Sequence, residues 1–453
     1  MSFVVFGVLF SIFCGNVLSD ICSNNSKFDC VCKSFTDQIT HLPLTIADCG
    51  DAGIETLPTD LGEDLSILDV SSNEIGSLDA KLASKSLVKL ILSYNNVSKV
   101  AVGFFDNLPN LKYLDLSNNF LTSFDNAEVF KKLPNLRYLD LSYNNFKSLP
   151  EFIFSPLKEL RRLHLSYNDL GEYLMPNKAV LGDVLGVTPN LTHLDLSGLG
   201  LKELHTTYFD HFVELKTLSL EDNNLTTIPT IPYTIEFLDL SGNRLTVISA
   251  KYLNYHSLKV LKLNRMNTLT SIHHYAFYNL VSLEKLYITD CANLKEFSDL
   301  AFDDASKDIH HHPKFLSLAR NGLESLNETY KYFFKRMEHI DLIHNPWNCD
   351  CNILWLKDFA QELNRPHELR CSYPDQLKHK KILDLEPSDL KDCFPAIYGK
   401  KSHRALIVVL AVACVTLCGL IFYLLRYPVN GFAGRHRIGP NSPYVSAPTT
   451  EPI

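Results

Sequence analysis

Hydrophobic and polar positions alternate over a short segment that recurs along most of the chain. One copy, Leu111 to Leu121, reads Leu-Lys-Tyr-Leu-Asp-Leu-Ser-Asn-Asn-Phe-Leu, and further copies begin at Leu136 and Leu160. The Leu-x-Leu core has a period of two, which predicts a short strand with one buried face. A unit of this length cannot bury its own leucines. The pattern therefore predicts that successive copies stack side by side into a solenoid.

Two further positions recur in phase with the leucines. The first follows the strand and holds Asn at 73, 95, 119, 144, 168, 223, 243, 321 and 345, whereas the remaining copies hold Leu199, Met266 and Cys291. An Asn side chain at a strand end can hydrogen-bond to the backbone of a turn. The second position lies six residues before the leading Leu and holds Phe105, Phe130, Phe154, Phe209 and Phe277.

These repeats resemble leucine-rich repeats. The resemblance implies an α/β fold: a curved solenoid with parallel strands on its concave face and stacked phenylalanines on its outer side. About twelve repeats are expected over 61–345, with insertions at Gly171 to Asn190 and at Glu296 to Pro313. The insertions are expected to lengthen outer loops and to leave the strands unchanged.

Two groups of four cysteines flank the repeats. Close cysteine pairs also occur in zinc sites, but an exported chain meets an oxidising compartment in which disulfides are favoured. The spacing resembles the cysteine caps of extracellular leucine-rich repeats, here 20–60 and 346–397. The resemblance implies the pairs Cys22–Cys32, Cys30–Cys49, Cys349–Cys371 and Cys351–Cys393. Apolar positions at helical spacing predict a helix between Ile353 and Leu363 in the second cap.

Apolar segments near both ends predict the topology. Residues 1–19 are typical of a signal peptide, because small or apolar residues, Val17 and Ser19, occupy the positions that signal peptidase requires. Their apolar run is too short to span a bilayer. A linker at 398–404 precedes an uncharged stretch at 405–425, which is long enough for one transmembrane helix of about 30 Å. Residues 426–453 are expected to be a short disordered cytoplasmic tail. The chain is therefore expected to be a single-pass type I plasma membrane protein with its N-terminal part outside.

Composition and motifs exclude several functions. The chain has 453 residues and a formal net charge of -8, which argues against nucleic acid as a partner. No phosphate-binding loop, metalloprotease motif or nucleophile elbow occurs, so neither an enzyme nor a cofactor is expected. The run His310 to His312 with its neighbouring aspartates suggests metal ligands, but adjacent histidines in a loop point in different directions. We expect a solvated insertion there and no metal.

The candidate binding surface is the strand face, the side of the strands that points away from the leucines. One outward column, termed the central column, holds Asp69, Ile91, Asp115, Asp140, His164, Asp195, Ser219, Asp239, Lys262, Tyr287, Ser317 and Asp341. A second outward column, termed the first column, lies two residues before the central column in each strand. Six side chains in three consecutive repeats are expected to form one patch: Tyr113, Tyr138, Tyr143, Arg162, His164 and Tyr167. Tyr and Arg dominate interface energetics, although Asp and Ser are ordinary filler in such strands. The alternative contact site is the two insertions.

Five Asn-x-Ser/Thr sequons, at Asn24, Asn96, Asn190, Asn224 and Asn327, lie outside the strand columns. Glycans there would leave the strand face open. We expect recognition of an extracellular or cell-surface protein, in an adhesion or co-receptor role. The alternative is an auxiliary subunit of a membrane receptor or channel. Assembly into homo- or hetero-oligomers is compatible with either function.

Overall fold

Each Leu-x-Leu core forms one short strand, and the strands pair in register. The computed structural model describes residues 20–22, 29–36, 43–58, 61, 63–175, 180–303, 312–393 and 400–426. The strands are β1 (Val31–Thr36), β2 (Pro43–Asp48), β3 (Leu65–Asp69), β4 (Ser77–Leu78), β5 (Lys89–Ile91), β6 (Lys99–Val100), β7 (Tyr113–Asp115), β8 (Tyr138–Asp140), β9 (Arg162–His164), β10 (His193–Asp195), β11 (Thr217–Ser219), β12 (Phe237–Asp239), β13 (Val247–Ile248), β14 (Val260–Lys262), β15 (Ser271–Ile272), β16 (Lys285–Tyr287), β17 (Glu296–Phe297), β18 (Phe315–Ser317), β19 (His339–Asp341), β20 (Trp347–Asn348) and β21 (Cys371–Tyr373).

The helices are α1 (Gly171–Leu174), α2 (Leu181–Leu185), α3 (Tyr330–Phe334), α4 (Leu354–Phe359) and α5 (Lys400–Arg426). The chain divides into two units, Met1–Glu386 and Pro387–Ile453. The expected signal peptide, the sequon at Asn24, His310 and His311, and the tail beyond Arg426 lie outside the described residues.

The first unit is a parallel-strand solenoid of about thirteen turns. Its main sheet has fourteen strands in the order β1-β2-β3-β5-β7-β8-β9-β10-β11-β12-β14-β16-β18-β19. Among the described strands of this sheet, only the β1–β2 pair is antiparallel. The parallel pairing keeps equivalent residues of successive repeats side by side, as in Leu114↔Leu139 and Leu139↔Leu163. These leucines are fully buried, which confirms the predicted repeat architecture.

The recurrent asparagines connect each turn to its neighbours. Asn119 Nδ2 donates to the carbonyl oxygens of Leu92 in the preceding repeat and of Leu116 in its own, at 2.9 and 3.1 Å. Its Oδ1 accepts the backbone N–H of Val97 at 3.0 Å. Cys291 makes weaker contacts of the same kind, with Sγ 3.3 Å from the Leu263 oxygen. The asparagines therefore satisfy buried backbone groups at the point where each strand ends.

The phenylalanines stack over part of the solenoid. The rings of Phe105 and Phe130 are 6.1 Å apart, and those of Phe130 and Phe154 are 6.2 Å apart. The next repeat has Leu185 in this position, so the stack ends there. The first insertion is also more ordered than expected. It contains α1 and α2, and Leu174, Leu181 and Leu185 are buried. Its apolar side chains extend the core, which an outer loop would not do.

Disulfide-linked segments flank both ends of the main sheet. β1 and β2 form a hairpin that pairs with β3, and disulfides link Cys22 to Cys32 and Cys30 to Cys49. At the other end, Cys349 bonds to Cys371. Cys351 and Cys393 are also disulfide-bonded, and their mutual pairing stays a prediction.

The predicted helix of the second cap is shorter than the interval between Ile353 and Leu363. α4 is extended by single 3-10 turns at Cys351–Ile353 and Ala360–Glu362. Its Phe359 ring lies 5.8 Å from that of Phe334, and Trp355 Nε1 donates to the Leu326 oxygen at 3.0 Å. The helix thus closes the apolar end of the solenoid.

In the second unit, α5 begins at Lys400, inside the expected linker. Its described side chains, 407–423 and Arg426, are exposed. Among the residues that the structure describes, none forms a helix with the length and apolarity needed to cross a membrane.

Candidate functional site

The strand face carries the candidate site, because the pairing register aligns its two outward columns. Tyr113 pairs with Tyr138 and Tyr138 with Arg162 in the first column. The rings of Tyr113 and Tyr138 stack with their centroids 4.0 Å apart and their planes 5° apart. The Nζ atom of Lys89 lies 4.3 Å above the Tyr113 ring, and the His164 ring lies 5.2 Å from that of Tyr138. These side chains thus form one continuous row across neighbouring strands.

Tyr143 and Tyr167 form a second stack at the end of the same repeats. Their ring centroids are 4.5 Å apart. Both residues precede a recurrent Asn and have positive φ, 51° and 53°. The Tyr167 hydroxyl donates to Asp222 Oδ2 at 2.8 Å, although Gly198 lies in the intervening repeat. A Cβ at Gly198 would lie 2.4 Å from Tyr167 Cδ1, so only glycine leaves room for this bridge.

Positive φ at this position is common to all twelve repeats, and the sequence analysis missed it. The residues are Ser72, Tyr94, Asn118, Tyr143, Tyr167, Gly198, Asp222, Gly242, Arg265, Asp290, Arg320 and His344. The left-handed conformation is costly for most L-residues and persists only where its surroundings enforce it. The neighbouring repeat supplies that restraint, because the backbone N–H of Tyr143 donates to the Ser166 oxygen at 2.8 Å. The position directly before each recurrent Asn was the sequence signal from which this positive φ could have been predicted.

The expected single patch is therefore two ring stacks, Tyr113–Tyr138 and Tyr143–Tyr167. His164 joins the first stack through Tyr138. Arg162 is exposed and, within the described part of the chain, has no carboxylate within 4 Å. The site combines flat aromatic surface with an exposed guanidinium.

Two side chains of the central column, Asp115 and His164, have pKa values raised above their ordinary values. Burial raises the pKa of Asp115, and the charge of Asp140 adds to this against the hydrogen bonds from Ser117. Burial alone would lower the pKa of His164, but Asp195 and Asp140 outweigh it and the pKa is raised. His164 Nδ1 lies 3.6 Å from Asp195 Oδ2. Each of these two side chains therefore favours the charged form of the other.

Two members of the central column do not reach solvent as the alternation predicts. Asp239 and Ser317 are 4% and 5% exposed. Lys262 Nζ lies 3.3 Å from Asp239 Oδ2, so the long neighbouring side chain covers the carboxylate. Alternation predicts the direction in which a side chain points, but its solvent exposure also depends on the neighbouring side chains.

A second aromatic group lies near the other end of the strand face. The Tyr287 and Phe315 rings are 4.7 Å apart, and Phe315 stacks on His339 at 4.5 Å with planes 4° apart. These residues occupy the two outward columns on β16, β18 and β19. Their column positions were the only sequence signal for this contact.

The remaining candidates lie elsewhere. Asn96, Asn190 and Asn327 are exposed, Asn224 is half-buried, and all four lie outside the strands of the main sheet. Within the described residues no group of three or more His, Cys, Asp or Glu side chains could hold a metal ion. Cys291 is buried, and burial raises the pKa of its thiol to about 11.

Comparison with known proteins supports the repeat assignment. The family described as Leucine rich repeat matches residues 85–128, 126–170 and 234–292. Tsukushi of Gallus gallus is 26% identical over 67% of this chain and 74% of its own length. Trophoblast glycoprotein of Macaca fascicularis is 27% identical over 84% of this chain and 71% of its own length.

These matches support a leucine-rich repeat family. A chain from the crystal structure of the mouse RP105/MD-1 complex superposes with a TM-score of 0.54 at 21% identity. The match covers 75% of this chain and 53% of the other chain. It shows a shared fold.

Proposed function

We propose that this chain is a cell-surface recognition protein that binds an extracellular or cell-surface protein through the strand face of its repeats. The observation that carries the proposal is the pair of tyrosine stacks, Tyr113–Tyr138 and Tyr143–Tyr167, on consecutive repeats. Stacked rings offer large rigid area, because their side chains lose little entropy on binding. Exposed Arg162 beside them adds a residue type that is common at binding hot spots.

The distribution of sequons agrees with this choice of surface. Asn96 and Asn224 each directly follow a recurrent Asn, beyond the strand, and Asn327 precedes α3. Glycans at these positions would occupy the turns and leave the two outward columns accessible. The similarity to trophoblast glycoprotein is compatible with a glycosylated chain.

The binding test uses the full chain displayed on cells and a panel of purified extracellular proteins. Replacing Tyr138 and Arg162 by Ala and Tyr167 by Asn should weaken binding of the identified partner by about a hundredfold or more, because interface anchors contribute roughly 2 kcal/mol or more each. Asn at 167 tolerates the positive φ. The control variant replaces Tyr233 and Tyr278 by Ala and should bind the partner as the wild type does. These two tyrosines lie outside the main sheet and are 70% and 52% exposed. Full affinity in the first variant, with loss on trimming either insertion, would transfer the site to the insertions.

We also propose a type I plasma membrane location, with 1–19 as signal peptide and 405–425 as the single span. The support is the uncharged composition of 405–425 together with the helical conformation of Lys400–Arg426. Deletion of 405–453 should release a glycosylated protein into the medium. A truncated chain that stays in the cytosol without glycans would refute the signal peptide.

The alternative function, an auxiliary subunit of a membrane receptor or channel, is favoured by the exposed apolar side chains of α5. Replacing α5 by an unrelated membrane helix distinguishes the two functions. Loss of activity with retained ectodomain binding would support the auxiliary subunit.

A further inference from the structure

The aspartates of the central column share one geometry. In Asp69, Asp115, Asp140, Asp195, Asp239 and Asp341, Oδ1 accepts the backbone N–H of the residue two positions later, at 2.9 to 3.3 Å. This bond fixes the carboxylate and leaves Oδ2 as the oxygen for other partners. The column therefore presents a series of equivalent acceptor positions along the sheet.

Half of these positions are occupied by a basic side chain of the protein itself. Lys262 Nζ lies 3.3 Å from Asp239 Oδ2, and His164 Nδ1 lies 3.6 Å from Asp195 Oδ2. Asp341 Oδ2 accepts a hydrogen bond from Arg365 Nη2 at 2.6 Å. Lysine, histidine and arginine are thus all accommodated at the same atom of the column.

The other half, Asp69, Asp115 and Asp140, is clustered towards the first repeats. Within the described residues, none of these three carboxylates has a basic nitrogen within 4 Å. Asp140 Oδ2 instead accepts the Tyr138 hydroxyl at 3.0 Å. Asp115 and Asp140 lie directly opposite each other on β7 and β8, where two like charges oppose each other. His164, opposite Asp140 on β9, instead lies against Asp195, with Nδ1 3.6 Å from Oδ2.

The tyrosines beside these carboxylates also suit a cation. Lys89 Nζ lies 4.3 Å above the Tyr113 ring and not on a carboxylate, although Asp69 and Asp115 are on the two flanking strands. Cations bind the faces of aromatic rings through the ring quadrupole. Arg162, a further basic residue nearby, stands in the first column and not in the central column.

We propose that this half of the strand face binds a segment of the partner that carries Arg or Lys side chains. The proposal rests on the function proposed above and adds the chemistry of the partner. One guanidinium would bridge Asp115 and Asp140, since neighbouring strands lie about 4.8 Å apart. A second cation would reach Asp69, two strands or roughly 10 Å away. In a segment with polyproline II conformation, which has three residues per turn and rises about 3.1 Å per residue, basic side chains three positions apart lie on one face roughly 9 Å apart and match this spacing.

The test measures direct binding of synthetic peptides to the purified full chain. The probe is an extended peptide with Arg at every third position and Ser between, and its analogue has Gln in place of Arg. The Arg peptide should bind and the Gln peptide should not. Raising ionic strength from about 0.05 to 0.3 M should weaken binding several-fold, because screening reduces exposed charge interactions.

Two variants of equal net charge locate the site. Asp115→Asn retains an Oδ1 acceptor for Ser117 and should weaken binding of the Arg peptide about fivefold. Asp341→Asn removes the same charge where Arg365 already occupies Oδ2, and should change the affinity less than twofold. Thermal unfolding verifies that both variants fold.

Equal weakening by the two variants would overturn the proposal, since it would indicate that binding depends only on the overall charge of the protein. Absence of Arg-peptide binding would also overturn it, as would binding of Ca²⁺ alone that depends on Asp115. These failures leave the proposed function standing if the partner from the cell-display screen still depends on Tyr138, Arg162 and Tyr167. Loss of that dependence, in contrast, removes the function itself.

Discussion

Asn119→Ala tests whether the recurrent asparagines hold neighbouring repeats together. Asn119 is 5% exposed and makes four hydrogen bonds. Nδ2 donates to the oxygens of Leu92, Leu116 and Ser117 at 2.9 to 3.1 Å, and Oδ1 accepts the N–H of Val97 at 3.0 Å. Alanine removes all four bonds and supplies no replacement.

The magnitude follows from the backbone groups that lose their partner. A buried donor left unsatisfied costs about 1–3 kcal/mol, and Val97 N–H becomes such a donor. The Leu92 oxygen in the preceding repeat loses a partner as well, so we expect a total cost of roughly 3–5 kcal/mol. The matched control is Asn110→Ala. Exposed Asn110 makes one bond, from Nδ2 to the Lys85 oxygen at 2.8 Å, and its loss should cost about 1 kcal/mol or less.

The assay is amide hydrogen exchange on peptides that cover 88–121, because repeat proteins open locally and a single midpoint would average over the array. A loss of about 3 kcal/mol corresponds to exchange at Val97 that is faster by roughly two orders of magnitude. Peptides beyond β16 should exchange as in the wild type. Equal acceleration in Asn119→Ala and Asn110→Ala would refute the role assigned to the buried asparagine.

Two other perturbations test the core and the charged pair. Leu139→Ala should destabilise the protein by roughly 2–5 kcal/mol because Leu139 is fully buried, whereas partly exposed Asp140→Ala should cost far less; equal shifts in chemical denaturation would contradict the strand register. The raised pKa of His164 means that its pairing with Asp195 stabilises the folded state fully below the unfolded value of about 6.5 and is lost as pH rises through the folded pKa. The lowered pKa of Asp195 keeps the carboxylate charged down to below about pH 4. The stabilisation by this pair is therefore confined to the pH range between the folded pKa of Asp195 and the folded pKa of His164. His164→Gln should remove the decline in stability above pH 6.5, and an unchanged pH profile in that variant would contradict the pairing.

The repeat architecture could be predicted because its signals are local. The Leu-x-Leu period identifies Leu139 as buried and Asp140 as outward from three consecutive residues. The recurrent Asn lies a constant distance beyond the strand, so its bonds to adjacent turns follow from the repeat itself. The first insertion was predicted less well, because α1 and α2 bury Leu174 and Leu181 through contacts that no repeat period encodes.

The candidate site was predicted only in outline. Sequence placed Tyr113, Tyr138 and His164 on one face but did not show that Tyr143 and Tyr167 form a separate stack. The positive φ of Tyr143 and Tyr167 was also absent from the sequence analysis. The tyrosine pairs are each 24 or 25 residues apart in sequence, and only folding reduces this to adjacent strands.

The sequence by itself determined the Leu-x-Leu strands, their order, the buried leucines and the recurrent asparagines, because each depends on spacing within one repeat or between consecutive ones. Only the tertiary structure decided which side chains of different repeats meet. The bridge from Tyr167 to Asp222 needs the missing Cβ of Gly198, and the cover over Asp239 needs the length of Lys262. These contacts depend on the conformation and reach of side chains across strands about 4.8 Å apart, which periodicity does not specify.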